Sequence, residues 1–129
     1  EYRKHRRRLR HLISIPFIWF MLFPIFVLHV CIEIYQAVCF RLYGIQPVCR
    51  KDYIKIDRHR LKYQKLTEKL NCAFCGYSNG VLQYSAAIGG ATEQYWCGIK
   101  HRQTENFHEP AYHSDFLPYN DEMAFKERY

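Results

Sequence analysis

The sequence predicts a mainly α-helical chain: an N-terminal membrane helix or re-entrant helical hairpin, then a small helical metal-knuckle domain, then an extended C-terminal arm. Three observations carry this expectation. From Leu12 to Ile32 the run LISIPFIWFMLFPIFVLHVCI contains no formally charged residue, and crossing the hydrocarbon core of a bilayer takes about 20 apolar residues. Cys72 and Cys75, followed by Cys97 and His101, are three thiolates and an imidazole at spacings that can close a tetrahedral metal site. Beyond His101 helical periodicity fades while Phe, Tyr and Pro accumulate.

At 129 residues the chain has room for one small domain beside the apolar segment, and domains of that size commonly need a staple such as a structural metal. The formal net charge of +7 is unevenly spread. Arg3, Lys4, Arg6, Arg7, Arg8 and Arg10 stand before the apolar run, and a second basic block from Arg41 to Lys65 follows it. Because these blocks bracket an apolar run, anionic lipid headgroups are the expected partner rather than nucleic acid. Of the six cysteines, three fall in the metal-spaced set, and Cys31, Cys39 and Cys49 are scattered in or beside the apolar stretch. That distribution favours reduced thiols and a metal domain on the cytoplasmic side.

The apolar run is too long and too aromatic for a signal peptide. Basic residues flank both ends, so the positive-inside rule selects no orientation for a single span. Pro16 and Pro24 interrupt it, and proline inside a helix removes a hydrogen bond. Two solutions follow for 12–43: one kinked helix reaching Tyr43 and stopped by Gly44, or a hairpin of 9–22 and 25–43 with both ends on one face. The symmetric charges favour the hairpin. Its turn would have to be buried against protein, which implies partner subunits. His29 and Glu33 share a helix face near the boundary and are read as an interfacial pair, although ionisable groups at that depth are functional candidates.

Residues 1–11 thus form a basic flank, and 44–56 an interfacial connector interrupted by Pro47. The metal domain is placed at 57–102. Asp57 is a candidate N-cap for a basic amphipathic helix over 58–70, in which Leu61, Leu66 and Leu70 alternate with Arg58, Arg60, Lys62, Lys65 and Lys69. The Cys72–Cys75 knuckle comes next, with Gly76 supplying a positive φ. Ser78-Asn79-Gly80 signals a turn. Tyr84, Ile88, Ala91 and Tyr95 then recur at helical spacing up to Trp96, with Gly89-Gly90 read as a kink. Cys97 and His101, four apart, would project from one helix face. The arm 103–129 is too aromatic for an ordinary flexible tail; its His108 and His113 are read as arm residues rather than ligands. No internal repeat or phosphate-binding glycine loop is present, and Ser114-Asp115 alone makes no hydrolase triad.

Cys72-Ala-Phe-Cys75-Gly76-Tyr77 resembles the first knuckle of rubredoxins and rubredoxin-like zinc ribbons. The likeness ends there, because the second pair is Cys97-Gly-Ile-Lys-His101 rather than another Cys-x-x-Cys-Gly, which moves the weight from iron to zinc. A fuller resemblance covers most of the chain. Phe17-Ile18-Trp19, Pro24, Glu33-Ile34-Tyr35, Tyr53-Ile54-Lys55-Ile56-Asp57-Arg58-His59, Glu68-Lys69-Leu70-Asn71-Cys72, Asn79-Gly80 and Thr92-Glu93-Gln94-Tyr95-Trp96-Cys97 look like a group of small bacterial membrane proteins. That resemblance implies a bacterial source and a membrane-anchored metal-knuckle architecture.

The resulting expectation is a non-catalytic, zinc-stabilised accessory subunit docked on a larger membrane protein complex of the bacterial inner membrane, with its metal domain on the cytoplasmic face. A site closed by Cys72, Cys75, Cys97 and His101 leaves no position for substrate, so neither an enzyme nor a small-molecule substrate is expected. Two alternatives stay open: electron transfer by iron at the same ligands, and metal delivery to a membrane metalloenzyme.

Overall fold

A computed structural model describes the backbone of residues 2–129 and the side chains of 9–58 and 60–129; Glu1 of the basic flank lies outside the described residues, as do the side chains of its Arg3, Lys4, Arg6, Arg7 and Arg8. The chain is mainly helical, and no strand occurs among the described residues. Two compact units divide at Ala86/Ala87.

The first unit is built on helices α1 (Tyr2–Phe20), α2 (Leu22–Tyr35) and α3 (Arg41–Tyr43), the last two joined by a π-turn over Gln36–Phe40. The expected hairpin is not what forms. Met21, between α1 and α2, keeps helical dihedrals (φ −64°, ψ −19°), and the ladder runs through it: Met21 N–H donates to Phe17 O at 3.2 Å and Ile25 N–H to Met21 O at 3.3 Å. Pro24 falls in the first turn of α2, where a missing N–H costs least. Proline therefore interrupts without reversing the chain, and Leu9–Tyr43 forms one 35-residue apolar helix, long enough to span a membrane. At ~1.5 Å per residue it is about 50 Å long, against a hydrocarbon core of about 30 Å.

Gly44 (φ +67°) ends this helix in the left-handed conformation, and Ile45 N–H closes back on Phe40 O at 2.9 Å, the bond of a Schellman cap. The π-turn turns Gln36 and Phe40 inward. Gln36 grips the returning loop by its backbone, accepting from Val48 N–H at 2.8 Å and donating to Val48 O at 3.3 Å. After the short α4 (Arg50–Tyr53), the expected helix over 58–70 forms only from Leu66 onward. Only a 3-10 turn forms at Arg58–Arg60, because the Asp57 side chain makes no cap and Leu61 is extended.

Helix α5 (Leu66–Trp96) starts instead where Glu68 reaches back to Lys65 N–H at 2.9 Å, half of a capping box. It continues through Ser78-Asn79-Gly80 without the expected turn. The glycines there serve close packing: a Cβ on Gly80 would stand 2.8 Å from Tyr53 O and from Ile54 Cα, and one on Gly76 2.9 Å from Lys55 O. The connector's backbone crosses α5 at these two positions. Ile25, Phe40, Val81 and Tyr84 are the buried apolar residues of this unit.

In the second unit, Ala87–Tyr129, the sequence beyond His101 lies on its own unit and carries a 3-10 turn and a short helix. It folds back on the end of α5: Leu117 N–H donates to Gly98 O and Lys100 N–H to Leu117 O, each at 2.8 Å. A 3-10 turn (Ala111–Asp115) presses the Tyr112 ring onto Gly90, where a Cβ would meet it at 2.9 Å. Helix α6 (Glu122–Arg128) is capped by Asp121, whose carboxylate accepts from Ala124 N–H. Ile88, His113 and Phe116 are buried here.

Candidate metal centre

Cys72 and Cys75 lie within α5 rather than on a turn, and Gly76 is not among the positive-φ residues. Their Cys-x-x-Cys spacing is thus a helical i, i+3 pair, with all of 76–96 helical between them and Cys97. Cys72 is half-buried and accepts a weak bond from Gln64 Nε2 at 3.5 Å, while Cys75 and Cys97 are exposed. Cys97 N–H and Gly98 N–H both close on Glu93 O, at 2.8 and 2.9 Å. With Gly98 at φ +56° the helix stops there, so Cys97 and His101 do not share a helix face. Of the four expected ligands, His101 alone enters a converging group of metal-ligating side chains among the described residues.

That group is Glu93, His101 and His113, whose donor atoms all lie within 4.8 Å of one another. Glu93 comes from the last turns of α5, His101 from the loop after it, and His113 from the 3-10 turn. The two carboxylate oxygens divide the work: Oε1 faces His101 Nε2 at 3.7 Å and Oε2 faces His113 Nε2 at 3.4 Å. On its other side, His113 Nδ1 stands 3.9 Å from Glu109 Oε1. Glu109 is in turn held by Lys100 Nζ at 3.3 Å and by Gln103 Nε2 at 3.3 Å. The group can bind a metal ion: imidazole and carboxylate are ligands for several first-row divalent metals.

The three donors differ in access. His113 is 1% exposed, Glu93 29% and His101 64%. His113 is clamped by aromatic rings, stacked on Phe116 (centroids 4.6 Å apart) and edge-on to Tyr112 (4.8 Å). Burial raises the Tyr112 hydroxyl pKa above 10.0, and the neighbouring Glu93 charge raises it further. Tyr112 therefore stays a neutral donor toward Glu93.

No protein-family model matches the chain, and no curated protein or solved structure was found to match it. Glu93 is the residue that spacing arguments overlook, since a carboxylate on a helix is usually a solvated charge. Its signal in the sequence is the aromatic pair Tyr112 and Phe116 around His113, which marks a histidine about to be buried.

The first unit holds a polar network of its own. His29 Nδ1 and Tyr77 Oη are 2.9 Å apart, His29 Nε2 lies 3.5 Å from Glu33 Oε1, and Arg50 Nη1 reaches the same oxygen at 3.4 Å. Gln36 Nε2 donates to Tyr84 Oη at 2.9 Å. The expected interfacial pair His29 and Glu33 thus binds the helix to α5 and to the connector. Burial raises the pKa values of Tyr77 and Tyr84, with the Glu33 charge adding to the effect at Tyr84. Both hydroxyls remain protonated in the physiological range.

Proposed function

We propose that this chain is a membrane-anchored accessory subunit of a larger membrane protein complex, with zinc stabilising its C-terminal unit. The observation that carries the reading is the bare apolar surface of the Leu9–Tyr43 helix. Phe17 and Phe20 are each 71% exposed and Phe23 70%. Leaving such side chains in water forgoes about 1.5–3 kcal/mol each, and contiguous apolar patches of this kind mark membrane or protein contacts. Lipid covers the middle of the helix, and a partner subunit covers the part that exceeds the bilayer.

Zinc suits a set of two imidazoles and one carboxylate. No thiolate belongs to the converging group, which takes support away from a rubredoxin-like iron centre. In this reading the ion ties the end of α5 to the segment folded over it. A tagged chain should remain in host membranes through alkaline carbonate washing and should co-purify with a larger subunit after mild detergent extraction. Release by carbonate, or recovery as an isolated chain after crosslinking in the membrane, would defeat the proposal.

A further inference from the structure

We infer that Glu93, His101 and His113 hold their divalent metal with one coordination position open to an exchangeable oxygen donor, either water or a small anion. This rests on the proposed metal-stabilised unit and deepens it, because it replaces a closed structural site by one that can take a ligand.

The spacing of the donors is the first argument. Ligands about 2.1 Å from a tetrahedral ion stand about 3.4 Å from one another. His113 Nε2 stands 3.4 Å from Glu93 Oε2 and His101 Nε2 3.7 Å from Oε1, each near that edge, and one donor atom from each of the three residues lies within 4.8 Å of the other two. Good N–H···O hydrogen bonds are shorter, at about 2.7–3.2 Å. The His113–Glu93 contact is thus at the long limit of a hydrogen bond, and the three side chains converge to separations that a small adjustment around one ion would close.

Burial gives the second. His113 is 1% exposed, and its Nδ1 has no hydrogen-bond partner within range. A metal on Nε2 makes Nδ1 the N–H of the ring, which then needs an acceptor. The carboxylate nearest to Nδ1 is Glu109, behind the ring as seen from Glu93. Metal-ligating histidines generally present their second nitrogen to such a carboxylate, which fixes the tautomer and ring orientation. Lys100 and Gln103 hold Glu109 in that place.

The third is the donor count. No fourth His, Cys, Asp or Glu among the described residues joins the group. Glu109 lies on the wrong nitrogen of His113 to reach an ion at Nε2. Three protein ligands plus a solvent position is the pattern of an open zinc site rather than a closed one. His101 is 64% exposed, so the ion is reachable from its side. Two neutral imidazoles and one carboxylate leave a divalent ion with a net positive charge, and the ion is then the strongest local charge. An anionic oxygen donor is the ligand class that such a centre attracts.

The test uses the full chain in detergent, stripped with a chelator and titrated with Co(II), whose visible absorption reports its ligands. Binding of about one Co(II) per chain, with a visible spectrum that shifts when azide is added, is the expected result. His101→Ala, at an exposed position, should weaken Co(II) binding by about 100-fold or more, since orienting partners alone are worth 10–100-fold. A spectrum indifferent to azide would show a closed site and overturn this inference while leaving a structural metal intact. An intense near-ultraviolet thiolate band would place the ion on cysteines and overturn it too. Failure to take up any Co(II) would remove the metal from both readings.

Discussion

The two units present different chemistry. Around the Leu9–Tyr43 helix the buried polar group Gln36 is fully engaged by Val48 and Tyr84, whereas the apolar side chains Phe17, Phe20 and Phe23 stand open. In the second unit the apolar residues Ile88 and Phe116 are covered, and the buried imidazole of His113 joins Glu93 and His101 in one group of metal-ligating side chains. Exposed apolar area calls for lipid or protein, and two imidazoles converging on one carboxylate call for a cation. Each unit thus points to its own environment: an open apolar face in the first, a converging set of metal donors in the second.

The contrast can be broken most forcefully in the first unit. Replacing Phe17 and Phe20 together by Asp should release the chain from membranes, because each Asp near the centre of a spanning helix costs about 2.5–3.5 kcal/mol. Cobalt uptake by the released protein should persist. Retention of the double variant in carbonate-washed membranes would count against the anchor. In the second unit, Glu109→Gln should weaken metal binding about 10–100-fold, measured by chelator competition, with no change in membrane retention.

A glycine from each unit sharpens the comparison further. Gly80→Ala drives a Cβ to within 2.8 Å of the connector backbone and should destabilise the first unit by about 1–3 kcal/mol. Gly89→Ala meets nothing within 4 Å and should stabilise the helix by about 0.5–1 kcal/mol. Thermal unfolding in detergent reads both, and equal effects would mean that the connector does not cross α5 as described.

The smallest effect is electrostatic. Tyr112 has a raised pKa, so the unfolded chain loses this proton at lower pH than the folded one. Its contribution is fully present below the ordinary tyrosine value of 10.0 and declines as pH rises through the folded pKa. Tyr112→Phe should lessen the alkaline fall in the melting temperature of the metal-free protein; an unchanged fall would exclude Tyr112 as its source.

The helical character and the apolar helix were legible because they depend on local composition: an uncharged run from Leu12 to Ile32 can hardly be anything else. The topology was not, since prolines at 16 and 24 permit both a hairpin and a continuous helix, and the helical ladder running through Met21 decides between them. Glycine misled the most. Gly76 and Gly80 were read as turn residues, whereas their role is to let the backbone at Tyr53–Lys55 approach, a long-range contact invisible in sequence spacing. The metal group was half legible. His101 was singled out and His113 was named only to be set aside, while Glu93 depends on the fold-back of the segment after Gly98. Cysteine spacing outweighed the plainer signal of a histidine set between Tyr112 and Phe116.

The most direct test of the account is elemental analysis of the chain extracted from washed membranes, with wild type and Glu93→Gln purified side by side. The account predicts about one zinc per wild-type chain and almost none in the variant, both proteins being recovered from the membrane fraction. Equal metal content in the two would contradict it.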